Sequence, residues 1–161
     1  MEKTNKSLKE WNAIIEALAG GLQTIIIRKN PTTLKGFFLY PTFSYATKEN
    51  YLENFKKDFR HFVEKNAFPL KKGEKTQIKY YARVEKVIEI SPKNLNSLNK
   101  LHIWKNDHVK KYLSNKKGYV WYLKIYKLKD SYMAEKNRGM RFANLKKEIS
   151  LKDLIPVFEE T

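Results

Sequence analysis

The sequence contains no cysteine, and only six of its 161 residues are glycine and five are proline. Without cysteine the chain can form no disulfide bond, no thiolate metal site and no cysteine nucleophile. The glycines are too scattered for a phosphate-binding loop of the Gly-x-Gly-x-x-Gly or Walker type. Because glycine and proline do not collect into a linker either, we expect one domain over residues 1–161.

Long apolar runs are absent as well. Every apolar run is far shorter than the roughly 20 residues that a membrane-spanning helix needs, so no membrane partner is expected. No apolar segment of the secretory type follows the polar residues Met1–Lys6. Together these absences favour a cytoplasmic protein.

Motifs for catalysis and metal binding are also missing. No Asp or Glu is followed two places later by Lys, the triplet that metal-dependent nucleases of the restriction type use. Gly-x-Ser-x-Gly is absent, and the three histidines, His61, His102 and His108, lack the spacing of a zinc site. We therefore expect no catalytic residue, no metal ion and no cofactor.

Acidic residues are the other scarce class. Lys and Arg total 33 against 17 Asp and Glu, which gives a net charge of +16. An AT-rich genome explains why the basic residues are mostly lysine, but it does not explain an excess of about two to one over acids. Such a charge attracts polyanions, so nucleic acid is the leading partner. The alternatives are an acidic protein partner or a surface charged only for solubility.

The sequence does contain ample material for a core, since 42% of its residues are hydrophobic and 14% aromatic. Residues Ser7–Ala19 have apolar side chains at helical spacing and a capping-box pattern, which predicts a helix. A competing interpretation makes this segment the first arm of a hairpin that turns at Gly20–Gly21. The β-branched run in Gln23–Arg28 predicts a strand.

The remaining elements follow from periodicity and turn residues. They are a strand at Gly36–Tyr40, a helix from Thr47 through Val63, a strand at Thr76–Ile90 with a bulge or bend near Glu85–Lys86, a helix opened by Ser91–Pro92, a short helix from Asn106 to Leu113, strands at Tyr119–Leu128 and Arg141–Leu145, and a helix from Ser150 ended by Pro156. This order lacks the regular alternation of a doubly wound fold. It predicts a single α+β domain with a mixed, mainly antiparallel sheet covered by helices.

Lysines and tyrosines alternate in the second half of the chain, where lysines can neutralise phosphates and exposed rings can stack on bases. The competing interpretation is a solvated surface around buried tyrosines. The predicted nucleic-acid contacts are Lys110, Lys111, Lys116, Lys117, Tyr119, Lys124, Tyr126, Arg138 and Arg141.

Several segments, taken in order, resemble one protein family. They are Leu8-Lys9-Glu10-Trp11 with Glu16-Ala17-Leu18, Ile27-Arg28-Lys29, Leu39-Tyr40-Pro41-Thr42 and Leu101-His102-Ile103-Trp104, followed by the aromatic strand Tyr119–Leu128. In this order they resemble the prokaryotic domain-of-unknown-function family 1802 over nearly the whole chain. The resemblance implies a single domain and implies no particular activity.

The polar and aromatic residues of these segments define a candidate pocket of Arg28, Tyr40, His102 and Trp104. His102 either ties down a turn or pairs with Trp104 to hold a base. The leading hypothesis is a non-catalytic nucleic-acid-binding domain. The alternatives are a divergent nucleic-acid-processing enzyme, such as a metal-independent nuclease or a defence-system component, and a scaffold subunit that docks an acidic protein.

Overall fold

The computed structural model of the protein describes residues 2–135 and 142–158. Its helices are short, and more of its residues lie in strands than in helices. In chain order the elements are β1 (Lys3–Trp11), α1 (Asn12–Ala19), β2 (Ile25–Arg28), β3 (Gly36–Thr42), α2 (Arg60–Lys65), β4 (Lys71–Lys72), β5 (Lys75–Ile90), α3 (Asn106–Leu113), β6 (Gly118–Ala134), β7 (Phe142–Ser150) and β8 (Ile155–Pro156). Four segments form 3₁₀ turns: Ser44–Thr47, Tyr51–Asn54, Lys57–Phe59 and Pro92–Leu101.

All the strands belong to one sheet, with the order β2–β6–β5–β3–β1–β7. The short strands β4 and β8 pair with β5 and β6. Among the strand pairs of the described residues, only β1 and β3 run parallel, and the other pairs are antiparallel. The predicted fold class, α+β with a mixed and mainly antiparallel sheet, is confirmed.

Strands β5 and β6 form the longest pair in the sheet, from Thr76 opposite Ala134 to Ile90 opposite Gly118. Strand β5 is covered on both faces, because the adjacent residues Tyr81 and Ala82 are both buried and side chains alternate between the faces of a strand. The register shifts between Val84 and Lys86, so the predicted bulge at this point is confirmed.

The core lies on both faces of the sheet. Phe37 and Phe38 are adjacent on β3 and both are completely buried, so each belongs to a different face. Phe37 joins the larger cluster, which packs under α1 and α3. Phe38 joins a smaller cluster with Tyr40 and Ile78. Helices therefore cover the larger core.

The predicted helix at Ser7–Ala19 is wrong in its first half. Residues up to Trp11 form β1, which is held between β3 and β7, and the helix begins only at Asn12. Leu8 is 1% exposed in this central strand. Hydrogen bonding to a strand on each side stabilises β1 more than a short helix would, because short isolated helices have little stability in water. The hairpin alternative is wrong as well, since β1 pairs with β3 in parallel.

The long helix predicted from Thr47 is replaced by successive 3₁₀ turns that end in α2. Asn50 has φ of 64°, a left-handed conformation that interrupts any helix. Phe55 has extended backbone and bridges to Trp104. Its ring is completely buried. Phe55 is thus buried because the chain folds back on itself, and not because it lies on the apolar face of a helix.

Two other predicted helices also differ. The segment opened by Ser91–Pro92 is a 3₁₀ helix, and its leucines at positions 95, 98 and 101 repeat every three residues, which is the 3₁₀ period. Near the end of the described chain, Ser150 closes β7 and Pro156 lies in β8, so no terminal helix forms there. The predicted helix Asn106–Leu113 is confirmed, and so are the strands at β2, β3, β5, β6 and β7.

Over residues 2–135 and 142–158, no helix has both the length and the apolar character needed to cross a bilayer.

Candidate functional site

A cavity of about 120 Å³ lies where the ends of β1 and β2 meet α3. We call it the Arg28 pocket. It is lined by Glu10, Trp11, Ile27, Arg28, Trp104, His108, Val109 and Tyr112. Three strands separate β1 from β2 in the sheet order, so the sheet must curl to bring their ends together.

An ion pair ties the two strand ends together. The Arg28 guanidinium donates to the Glu10 carboxylate, and the two side chains are 19% and 6% exposed. Glu10 also accepts a 2.8 Å hydrogen bond from the Trp11 backbone N–H. The pair therefore places a cation and a carboxylate side by side in the wall of the pocket, each offsetting the burial cost of the other.

Trp11 is held in place by other aromatic rings. It stacks on Tyr45 with centroids 4.5 Å apart and planes 10° apart, and Phe55 meets it edge-on at 5.8 Å. The Tyr45 hydroxyl donates to the Ala67 carbonyl and accepts from the Ala13 N–H. Burial raises the pKa of Tyr45, so this hydroxyl stays protonated. Trp11 thus has a rigid position beside the pocket, 5.5 Å from the His108 ring.

Two donors around the pocket lack partners. Arg28 Nε and Trp104 Nε1 are both buried, and neither has a hydrogen-bond acceptor among the residues that the structure describes. An unsatisfied buried donor costs about 1–3 kcal/mol, and a bound acceptor is one arrangement that would remove this cost. Both belong to side chains that line the same cavity.

The candidate pocket predicted from the sequence is only partly assembled. Arg28 and Trp104 line one cavity, whereas His102 lies behind Trp104 with ring centroids 5.6 Å apart. Tyr40 belongs to the other face of the sheet and donates to the Glu135 carbonyl.

Six of the eight lining residues are absent from the pocket that the sequence predicts, and four of these six are polar or aromatic. His108 and Tyr112 were detectable, because they are four positions apart on a correctly predicted helix and so share a face. Glu10 and Trp11 were not, because the local pattern predicts a helix where the chain forms the end of a strand.

His102 is almost completely buried, with 2% of its surface exposed. Burial, together with the Lys56 ammonium, lowers the pKa of His102 to about 4. The Lys56 ammonium donates to the His102 carbonyl, which ties the turn down. A neutral imidazole in this position packs against Trp104 and supports the pocket from behind.

Acidification should destabilise the fold through His102. The unfolded chain binds this proton near pH 6.5 and the folded chain only near pH 4, so the free energy of unfolding falls as pH falls between these values. From pH 7.5 to 4.5 the loss from this group should be about 2–3 kcal/mol. Urea denaturation at both pH values should give a smaller difference for His102→Gln than for the parent. Equal differences would contradict the expectation.

Two lysines lie beside residues that line the Arg28 pocket. The Lys29 Nζ lies 5.0 Å from the centroid of the Tyr112 ring. Burial lowers the pKa of His108, and the charge of the nearby Lys111 ammonium lowers it further. Lys116 lies in the turn between α3 and β6. Across residues 2–135 and 142–158, none of these three lysines forms an ion pair, and neither does Lys110.

The other residues of the predicted interface are distributed more widely. Lys117 pairs with Glu89 at 3.1 Å, and Tyr119 lies opposite Arg28 in the sheet. Lys124 and Tyr126 follow Tyr119 on β6 at odd offsets, which put both on the opposite face of the strand. There Tyr126 lies between Lys124 and Arg83. Arg138 and Arg141 lie outside the described residues.

No three His, Asp or Glu side chains in the described part of the chain come together in a way that could hold a metal ion.

The sequence profile of a domain of unknown function, DUF1802, matches residues 7–161. The chain belongs to the DUF1802 family. Its match covers the Arg28 pocket and every predicted contact residue. A comparison with curated proteins finds no significant sequence match for this DUF1802 chain.

The DUF1802 fold is shared with solved structures. Crystal structures of two mutant forms of the ZmASCH protein from Zymomonas mobilis are 11% identical to it. The first covers 88% of both chains with a TM-score of 0.53, and the second covers 88% of this chain and 90% of that chain with a TM-score of 0.51. Similarity at this level of identity shows a common fold and nothing further.

Proposed function

We propose that this DUF1802 domain binds nucleic acid without catalysis, through a cationic surface around the Arg28 pocket. The observation that carries the proposal is the position of Lys29 and Lys111 beside the lining residues Tyr112 and His108, with Lys116 in the turn that follows α3. They come from the end of β2, from α3 and from the following turn, and in the described chain no carboxylate neutralises them. Lysines in such an arrangement are free to contact phosphates.

The net charge of +16 supports the same proposal, because a polyanion would relieve the repulsion among these cations. Lys110, Lys117 and Tyr119 extend the surface along α3 and the start of β6. Lys124 and Tyr126 lie on the other face of the sheet. A nucleic-acid strand long enough to pass round the edge of the sheet at β2 would contact them as well. Arg138 and Arg141 remain predicted contacts.

Replacing Lys29, Lys111 and Lys116 together with glutamine should weaken the binding of nucleic acid and make its affinity less dependent on salt concentration. For a single strand, each lost phosphate contact lowers the slope of log K against log salt by about 0.7, so the slope should fall by about 2. That change corresponds to about 100-fold weaker binding at 0.1 M salt. Fluorescence anisotropy with single- and double-stranded DNA and RNA over 50–300 mM salt would measure it.

The matched control also replaces three lysines with glutamine, the exposed Lys129, Lys147 and Lys152, none of which lines the pocket. We expect a smaller change of slope in this variant. A parent protein that binds none of the four polynucleotides in 50 mM salt would overturn the proposal and would favour an acidic protein as the partner. Cleavage of the probe with or without magnesium would instead favour the enzyme hypothesis.

A further inference from the structure

We infer that the Arg28 pocket holds one unpaired pyrimidine base of the bound strand. The inference rests on the proposed function, and it specifies what the pocket recognises. The lysines near the pocket account for attraction to phosphates. They do not account for the aromatic lining of the pocket or for the two buried donors without acceptors among its lining residues.

The first argument is chemical. Arg28 Nε and Trp104 Nε1 are buried donors without acceptors in the described chain, and both side chains line the cavity. Pyrimidine bases carry carbonyl oxygens on their edges, and a small adjustment on binding would bring such an oxygen to either donor. A phosphate would meet the Glu10 carboxylate in the same wall and be repelled by it.

The second argument concerns the lining. Trp11, Trp104 and Tyr112 supply aromatic surface from three different segments, and Trp11 is fixed by its stack on Tyr45. Rings that are already fixed lose little freedom when a base stacks on them. Unpaired bases are commonly bound on aromatic side chains in this manner.

The third argument is size. The cavity of about 120 Å³ is close to the roughly 150 Å³ of an engineered protein cavity that binds one benzene molecule. It therefore matches a single six-membered ring better than the fused rings of a purine. Because Lys29 and Lys111 lie beside the lining residues Tyr112 and His108, the sugar and phosphates of a bound nucleotide can contact these lysines.

The test compares eight-nucleotide single strands of equal charge: oligo-U, oligo-A and an abasic backbone. We expect oligo-U to bind about 5–150-fold more tightly than the abasic strand, the range that stacking of one base supplies. We expect oligo-A to bind at least tenfold more weakly than oligo-U. The informative variant is Trp104→Phe, which keeps a ring but removes the unsatisfied N–H. It should lose the preference for oligo-U and keep the parent's salt slope.

The matched control is Trp121→Phe, because the Trp121 indole donates to the Asn30 carbonyl at 3.1 Å and does not line the pocket. It should retain the preference for oligo-U. Tyr112→Leu, on the rim, provides a second variant whose packing change is small, and it too should lose the preference. Equal affinity of the parent for all three strands would overturn the inference and leave the proposed function intact, whereas absence of binding to any strand would overturn both.

Discussion

Replacement of Arg28 by methionine is expected to lower the free energy of unfolding by about 3–5 kcal/mol. The change leaves the Glu10 carboxylate, which is 6% exposed, without its cationic partner. Only the Trp11 backbone N–H remains as a donor to it among the contacts of the described chain. The ends of β1 and β2 would then lose the contact that holds them against each other. Urea denaturation at pH 7 would measure the loss.

The companion variants separate the pairing energy from the loss of packing. Adding Glu10→Gln to Arg28→Met removes the uncompensated charge, so the double variant should be more stable than the sum of the single effects predicts. The control is Arg83→Met, which breaks the exposed pair with Glu85 and should cost less than about 1 kcal/mol. Additive effects for Glu10 and Arg28 would show that the ion pair is not energetically coupled.

Replacement of Phe55 by alanine is expected to destabilise the protein by about 3–5 kcal/mol, because it empties a large space in the core. Phe55 is completely buried and meets the rings of Trp11 and Tyr45 edge-on. For a protein of this size, the melting temperature should fall by about 6–20 °C. Thermal unfolding followed by circular dichroism would measure the fall.

The substitution should also disturb the Arg28 pocket, because Phe55 packs against Trp11 and forms a β-bridge with Trp104. A leucine at position 55 fills more of the space and should recover part of the stability. The control is Phe68→Ala, whose ring is 59% exposed, and its cost should stay below about 1 kcal/mol. Equal destabilisation by the changes at positions 55 and 68 would contradict the assignment of Phe55 to the core.

The candidate site follows from the sequence only in part. Arg28 and Trp104 belong to segments that resemble a family, and the structure places them in one cavity. His102 belongs to the same segments but lies one layer deeper. A sequence pattern indicates that a side chain is polar or aromatic, but it does not indicate which layer of the fold the side chain occupies.

The residues predicted to form the cationic surface could likewise be placed only in part from the sequence. Alternation along β6 is enough to separate Tyr119 from Lys124 and Tyr126, because side chains at odd and even offsets along a strand point to opposite faces. Lys29 is not among the predicted contacts, because nothing local connects it to Tyr112. Their contact depends on where α3 packs against the end of β2.

The charge, the absence of cysteine chemistry, the fold class and the elements with long or regular patterns, such as β5, β6 and α3, can all be predicted from the sequence. These follow from composition and from short-range periodicity, which act within a few residues. Three features follow only from contacts in the folded protein. Leu8 lies in a central strand, the segment around Phe55 is not one long helix, and Glu10 forms an ion pair with Arg28. Each of these depends on pairing and burial between distant segments, and the free energy of such contacts exceeds the small local preferences that a sequence pattern records.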